Sequence, residues 1–385
     1  MESIYLDNAA TTYPKPEEVM KAVERFMREV GGSAGRSGHK RAVETGRMVF
    51  EARSALAEIF GVREPLRIAF TKNATEALNI VIRGMLKDGD HVITTSMEHN
   101  SVMRPLKAVR KRGVDYSIVR CDPYGILDPG MVEKEVRTRT KMIIATGASN
   151  VTGTLMPLGD LAEIARKHRL ILAVDAAQTA GRFPIDVELE GIDVLVFTGH
   201  KELFGLQGTG GIYIREGIDF EPIMTGGTGS ISSSIEQPRQ MPDVLESGTL
   251  NAHGIAGLLA GASFVRGVGI DKIREHEMEL AQDLIEELLR IPKMKIYGPL
   301  STQNRVGIIS FNLEGISSSE LARVLDEKYQ IALRSGLHCS PMAHKTIGTM
   351  ERGTVRAGLS YLNTHEHISR LIEALIEISK RLTYS

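Results

Sequence analysis

The strongest constraint in this chain is an alternation. From residue 67 to about 215, short apolar runs take turns with amphipathic segments. Arg67–Thr71, His91–Ser96, Asp115–Arg120, Lys141–Thr146, Leu170–Asp175 and Val194–Thr198 read as strands. Ala74–Leu86, Ser101–Arg112, Pro129–Val136 and Leu158–His168 read as helices between them, with apolar positions recurring at helical spacing. Strands that are apolar along their whole length are buried on both faces. The pattern therefore predicts an α/β fold with a mostly parallel sheet covered by helices on either side. Gly210–Ile214 adds a further strand whose direction the pattern leaves open.

Beyond this region the pattern changes. Residues 225–236 are rich in Gly and Ser and are expected to hold no regular structure. A long helical stretch, His253 to Arg290, is interrupted near Gly267–Gly269. Val306–Asn312 and Thr354–Gly358 then read as strands, and Ser318–Lys328 and Glu366–Leu382 as helices, which suits a smaller α+β domain. A chain of 385 residues exceeds one core. The expected division is a large domain over 15–255 and a small one made of 1–14 and 256–385.

Charge excludes some functions. Forty-seven basic residues against 48 acidic ones leave a net charge of −1, so a nucleic-acid partner is not expected. The basic run Lys107–Arg112 reads as a solvated helix face. No apolar run approaches the ~20 residues of a membrane span, and no membrane association is expected. Met1–Ile4 leads straight into a strand-like segment, so no secretory leader is expected. Two cysteines, Cys121 and Cys339, fit a reducing, cytoplasmic setting better than a disulfide scaffold.

The chemistry gathers at strand ends. Thr198-Gly199-His200-Lys201 closes one apolar strand, and Asp175-Ala176-Ala177-Gln178 closes the one before it. The carboxyl edge of an α/β sheet is where ligands bind. A buried carboxylate there is costly unless it meets a cation, although capping a helix is its plainer use. The pyridinium nitrogen of pyridoxal 5′-phosphate is such a cation, and Lys201 is placed to hold that cofactor as a Schiff base. Gln178 is then in range of the ring's phenolic oxygen. Phe70–Glu76 runs from a strand into a helix, and the free N–H groups of Ala74 and Thr75 form an anion site for its phosphate. The Thr75 and Thr198 hydroxyls and His200 are further donors. His99, after another strand, suits stacking on the ring and moving protons. Asn150 is an edge polar group for either the ring oxygen or a substrate carboxylate.

At this point the chain resembles a family. Leu6-Asp7-Asn8-Ala9-Ala10-Thr11-Thr12, Asn73-Ala74-Thr75-Glu76, Glu98-His99, Ser149-Asn150, Asp175-Ala176-Ala177-Gln178 and Gly199-His200-Lys201 resemble, in that order, the class V aminotransferases, which are fold type I pyridoxal-phosphate enzymes. Glu246-Ser247-Gly248-Thr249, Arg334-Ser335-Gly336-Leu337-His338-Cys339 and Val355-Arg356-Ala357-Gly358 narrow the resemblance to the cysteine desulfurases, of the Suf type that is similar to selenocysteine lyases. The resemblance implies a seven-stranded, mostly parallel sheet in the large domain, and conversion of L-cysteine to L-alanine. The sulfur would pass to Cys339 as a persulfide, for iron-sulfur cluster or other sulfur-containing cofactor assembly through a sulfur-acceptor protein. It also implies a homodimer in which Thr249 reaches the partner's phosphate, Asn150 and Arg356 on the substrate carboxylate with Arg334 beside them, and Lys201 as the shuttle for the Cα proton. His338 or Arg334 is expected to favour the Cys339 thiolate.

Two positions depart from the family. Asn73 stands where glycine is usual, and Leu337 where Suf-type members usually carry a first histidine. Selenocysteine lyase, cysteine sulfinate desulfinase and a kynureninase-like hydrolase are the alternatives within the family. A non-catalytic scaffold is the alternative outside it.

Overall fold

The computed structural model describes residues 3–35 and 38–384, so Met1 and Glu2, which lead into the expected opening strand, lie outside the described residues. The chain begins with β1 (Ile4–Tyr5), α1 (Glu17–Arg25) with a π-helical turn after it, and α2 (Lys40–Ile59). The alternating region follows as β2 (Ile68–Thr71), α3 (Ala74–Met85), β3 (His91–Thr95), α4 (Asn100–Val109), β4 (Asp115–Val119) and α5 (Pro129–Lys134). It continues through β5 (Thr140–Thr146), α6 (Leu158–His168), β6 (Ile171–Asp175), β7 (Val194–Thr198) and β8 (Gly210–Ile214). Then come α7 (Ala252–Val268), α8 (Ile270–Arg290), β9 (Met294–Tyr297), β10 (Ile308–Leu313) and α9 (Ser318–Tyr329). The chain closes with β11 (Ile331–Ala332), β12 (Arg334–Gly336), α10 (Pro341–Thr346), β13 (Thr354–Gly358) and α11 (His365–Tyr384).

Seven strands form one sheet in the order β2-β8-β7-β6-β5-β3-β4. β8 runs antiparallel to both neighbours, and the other pairs are parallel. β3, β6, β7 and β8 are buried at nearly every position, because apolar clusters cover both faces of the sheet. This is the reason the strands read as continuous apolar runs rather than alternating ones. Strand order reverses between β3 and β5, which opens a crevice at the carboxyl edge. The register sets Thr146 beside Asp175 and Asp175 beside Val196, so the central strands finish almost level there.

A four-stranded antiparallel sheet, β12-β13-β10-β9, and the parallel pair β1·β11 make up the rest. Ile4 and Leu6 pack in the same apolar core as α8, α9 and α11. Residue 255, where the sequence reading drew its domain boundary, lies inside α7, which packs against α1 and α2. Glycine lets α7 approach closely, since a Cβ at Gly261 would run into the Leu203 carbonyl. The helical stretch breaks at Gly269, whose φ of 92° no other residue adopts cheaply, and α7 and α8 meet there at 80°. No single helix among the described residues is long and apolar enough to cross a membrane.

Residues 334–341 are rich in turn-forming types, yet Arg334–Gly336 is a strand and Pro341 opens a short helix. β12 exists because it pairs with β13, whose residues lie about twenty positions further along. A local pattern does not contain that partner.

Candidate active site

The floor of the crevice is built by β6 and β7. Asp175 is the last residue of β6 and is 4% exposed. Burial raises its carboxyl group above the usual range, against the pull of the Ala177 N–H at 3.0 Å and of Lys201. Lys201 follows β7 by three residues, and its amine is lowered to about 8. Burial is the main cause, opposed by Asp175 and assisted by Arg356, Arg182 and Arg334. The lysine therefore reaches its neutral, nucleophilic form near pH 8 instead of 10.5, beside a buried carboxylate whose charge it partly balances. Gln178 Nε2 donates to the Ala9 carbonyl at 3.0 Å, which ties the residues after β1 to the floor.

One end of the crevice is an anion site. Asn73 has φ −176°, ordinary extended backbone, so glycine is not required there. Its side chain accepts from the Glu76 N–H at 3.0 Å and caps α3. Ala74 and Thr75, the first residues of this twelve-residue helix, present N–H groups that have no intrahelical acceptor. His200 Nδ1 is buried without a hydrogen-bond partner among the described residues. Burial and the neighbouring Lys201 lower that imidazole to about 4. Thr75 Oγ1 meets Ser101 Oγ at 2.7 Å, and Ser101 Oγ meets His99 Nδ1 at 2.8 Å. The Ser101 N–H also donates to Nδ1, at 3.1 Å, so the His99 proton belongs on Nε2. Burial, with Lys201, Arg334, Arg104 and Arg356, lowers His99 to about 4 and keeps it neutral. The Thr198 hydroxyl makes only a long contact, 3.5 Å, to the Thr209 carbonyl.

The other end carries two cations. Arg334 and Arg356 are direct partners across the β12·β13 ladder. Like charges placed opposite each other destabilise a sheet unless something negative lies between them. Arg356 is 1% exposed, donates through Nη1 to the Asn150 carbonyl at 2.9 Å and pairs through Nη2 with Asp7 at 2.7 Å. Its Nε has no acceptor among the described residues. One carboxylate for two guanidinium groups leaves room for another anion.

Cys339 stands at this end, exposed, with Arg334 Nη2 3.5 Å from Sγ. His338 and Cys339 have φ of 48° and 60°, left-handed conformations that are strained for side chains of this kind. Asn150 holds them: its Nδ2 donates to the His338 carbonyl and its Oδ1 accepts from Ser340 Oγ, both at 2.7 Å. The Asn100 N–H adds a bond to the Cys339 carbonyl at 2.9 Å. Of the two residues expected to favour the thiolate, His338 is the one the structure rules out. Burial and the charges of Arg356, His344 and Arg334 lower it to about 2, its Nε2 contacts Thr354 Oγ1, and it is a neutral packing group. Arg334 is the cation in contact with sulfur.

All the predicted site residues except Cys339 and Thr249 line one cavity of about 270 Å³. Cys339 meets it through Arg334. Thr249 is exposed and borders a separate hollow with Phe70 and Glu246. A larger hollow, about 1060 Å³, opens beside Arg166, Asp193 and Tyr213 at the other edge of the sheet and contains none of these residues. Sequence reasoning missed Asp7, Ser101 and Ser340 as site members. Ser101 was detectable, being two residues past His99 in a helix's first turn. It also missed a buried cluster next to Lys201, in which Arg182 pairs with Glu202 and, at 3.4 Å, with Glu277 on α8. These charges tie α8 to the segment carrying Lys201.

The residues fit pyridoxal phosphate. Helix N–H groups and an orphaned imidazole nitrogen suit its phosphate, a buried carboxylate suits its ring nitrogen, and a lowered lysine suits its aldehyde. The aminotransferase class-V family model matches residues 4–371. A probable cysteine desulfurase of Methanothermobacter thermautotrophicus is 36% identical over 385 residues, covering 98% of this chain and 95% of the relative. One from Pyrococcus abyssi is 34% identical over 399 residues, covering 100% and 96%. The solved apo cysteine desulfurase of Thermococcus onnurineus NA1 superposes with a TM-score of 0.92 at 31% identity, over 98% of this chain and 95% of that one. With a match that spans nearly its whole length and a shared fold, this chain belongs to the class V aminotransferase family, among the cysteine desulfurases.

Proposed function

We propose that this protein is a pyridoxal-phosphate-dependent cysteine desulfurase, which moves the sulfur of L-cysteine onto Cys339 and releases L-alanine. One observation carries the reading: the cavity that holds Lys201 and Asp175 ends in paired arginines, one of which touches the Cys339 sulfur. When bound, the cofactor supplies an electron-withdrawing ring that stabilises negative charge at the substrate Cα. The Ala74 and Thr75 N–H groups, the Thr198 hydroxyl and His200 would hold its phosphate, Asp175 would keep its ring nitrogen protonated, and Gln178 and His99 would orient the ring. Arg356 clamps the substrate carboxylate, with Arg334 and Asn150 beside it, in a fork geometry that a lysine cannot copy. Lys201 takes the Cα proton. Cys339, as thiolate, attacks the substrate sulfur, so that a new S–S bond forms as the Cβ–S bond breaks. The three-carbon fragment takes up one proton at Cβ, regains one at Cα from Lys201, and leaves as alanine.

The test is Cys339→Ser. It should retain the cofactor and the spectral change on adding cysteine, and lose nearly all alanine formation. Mass spectrometry of the wild type after cysteine should locate one extra sulfur on the Cys339 peptide. Wild-type alanine release by the variant would overturn the persulfide reading. We also read the protein as a cytoplasmic homodimer in which exposed Thr249 serves the partner's phosphate. A monomer in sedimentation analysis with full cofactor occupancy would refute this.

A further inference from the structure

The helix that starts at the active site carries an unpaired basic face. From Asn100 to Val114 there is no Asp or Glu. Arg104, Lys107, Arg110, Lys111 and Arg112, on α4 and the single turn after it, are all exposed, and none makes an ion pair among the described residues. Arg110 only lies over the Tyr116 ring, 5.6 Å away. Other exposed helices in this protein are built differently. Lys21 pairs with Glu17, Arg28 with Glu24, Arg323 with Glu320 and Glu327, and Arg381 with Glu377, each within one turn. At the far end of α4, Asp115 is shared by Arg137 and Arg139, and the Asp88 carboxylate packs against Gly113 with no ion pair to the ridge among the described residues.

This face begins where the sulfur leaves. The N–H of Asn100, the first residue of α4, donates to the Cys339 carbonyl at 2.9 Å. Arg104 lies one turn on, roughly 6 Å along the axis, and is near enough to His99 to help keep that imidazole neutral. As a solvated helix face alone, the run needs no such concentration of one sign. Like charges repel along the helix and lower its stability.

Resting on the desulfurase reading, we propose that the exposed face of α4 is the docking surface for the protein that takes sulfur from Cys339, and that this acceptor presents an acidic surface around its own thiol. An acidic partner neutralises the ridge and is steered by it to the sulfur. In the transfer, the acceptor thiolate attacks the outer sulfur of the Cys339 persulfide. The Sγ–S bond breaks, Cys339 leaves as thiolate, and the acceptor carries the persulfide with no net change in oxidation state.

The experiment uses holoenzyme loaded with cysteine and two cysteine peptides, one flanked by glutamates and the other by lysines, with rates expressed per thiolate. The glutamate peptide should accept sulfur about tenfold faster than the lysine peptide at low salt. The difference should vanish at about 0.5 M salt. In Lys107→Glu/Arg110→Glu/Lys111→Glu the order should invert, while alanine formation supported by dithiothreitol stays at the wild-type rate. Equal peptide rates, or a preference that survives the charge reversal, would refute the docking surface alone. No alanine from wild type with dithiothreitol would mean that the desulfurase reading has failed and this proposal with it. An RNA duplex bound by wild type and not by the reversed enzyme, without any peptide preference, would reassign the ridge to nucleic acid.

Discussion

Replacing Asn150 by alanine tests whether its side chain serves the cysteine loop or the substrate. The amide makes two 2.7 Å hydrogen bonds, to the His338 carbonyl and from the Ser340 hydroxyl, and all three residues are buried. Between them, His338 and Cys339 sit in left-handed backbone, at about 1–2 kcal/mol each. Losing the amide strands a carbonyl and a hydroxyl, worth about 1–3 kcal/mol apiece when nothing replaces it. Water entry at the exposed Cys339 recovers part of that, so the net loss is about 2–3 kcal/mol. The held loop conformation should be disfavoured by roughly 30- to 150-fold. Hydrogen exchange in the peptide containing Ser340 should accelerate, because the Ser340 N–H bond to Leu337 is released with the loop. Alanine formation should fall by about the same order. The KM for cysteine should hold, because Arg356 donates to the Asn150 backbone carbonyl, which the substitution keeps. Ser340→Ala should give a smaller effect that does not add to the first. If Asn150→Ala raises KM with unchanged kcat and unchanged exchange, the clamp is wrong, and the amide binds the substrate carboxylate instead.

Arg356→Ala should raise KM for cysteine by an amount equivalent to ~2–5 kcal/mol, since it strands Asp7 and removes a buried partner for the carboxylate; unaltered KM would remove Arg356 from the site. The amine of Lys201 is lowered from an ordinary 10.5 to about 8. Its neutral, nucleophilic form therefore grows as pH rises through about 8. Borohydride-trapped uptake of pyridoxal phosphate by apo-protein should rise through that pH and level off above it, and a midpoint near 10.5 would show that burial does not act on this lysine as argued.

Much of the site was legible because its residues lie at strand ends, and strand ends follow from hydrophobic runs. Lys201, Asp175 and Thr75 were found this way, and the structure gathers them into one cavity. Asn73 looked like a departure from the family, and its φ and its capping bond show why asparagine is tolerated there. The Cys339 segment was harder. Its residues are turn-forming types with no periodic signal, and pairing with β13 and the Asn150 amide hold it in place.

By itself, the sequence determined the α/β layering, the seven strands of the main sheet, the family and the chemical types at each strand end. These are local properties, encoded in periodicity and in short motifs that a chain contains wherever its other segments go. Tertiary structure alone decided which charges meet: Arg334 opposite Arg356, Asp7 on Arg356, Glu202 and Glu277 on Arg182, and the bare basic face of α4 beside Cys339. Charge pairing acts over a few ångströms in space between residues up to 349 positions apart in the chain, so only the folded backbone brings those partners within range.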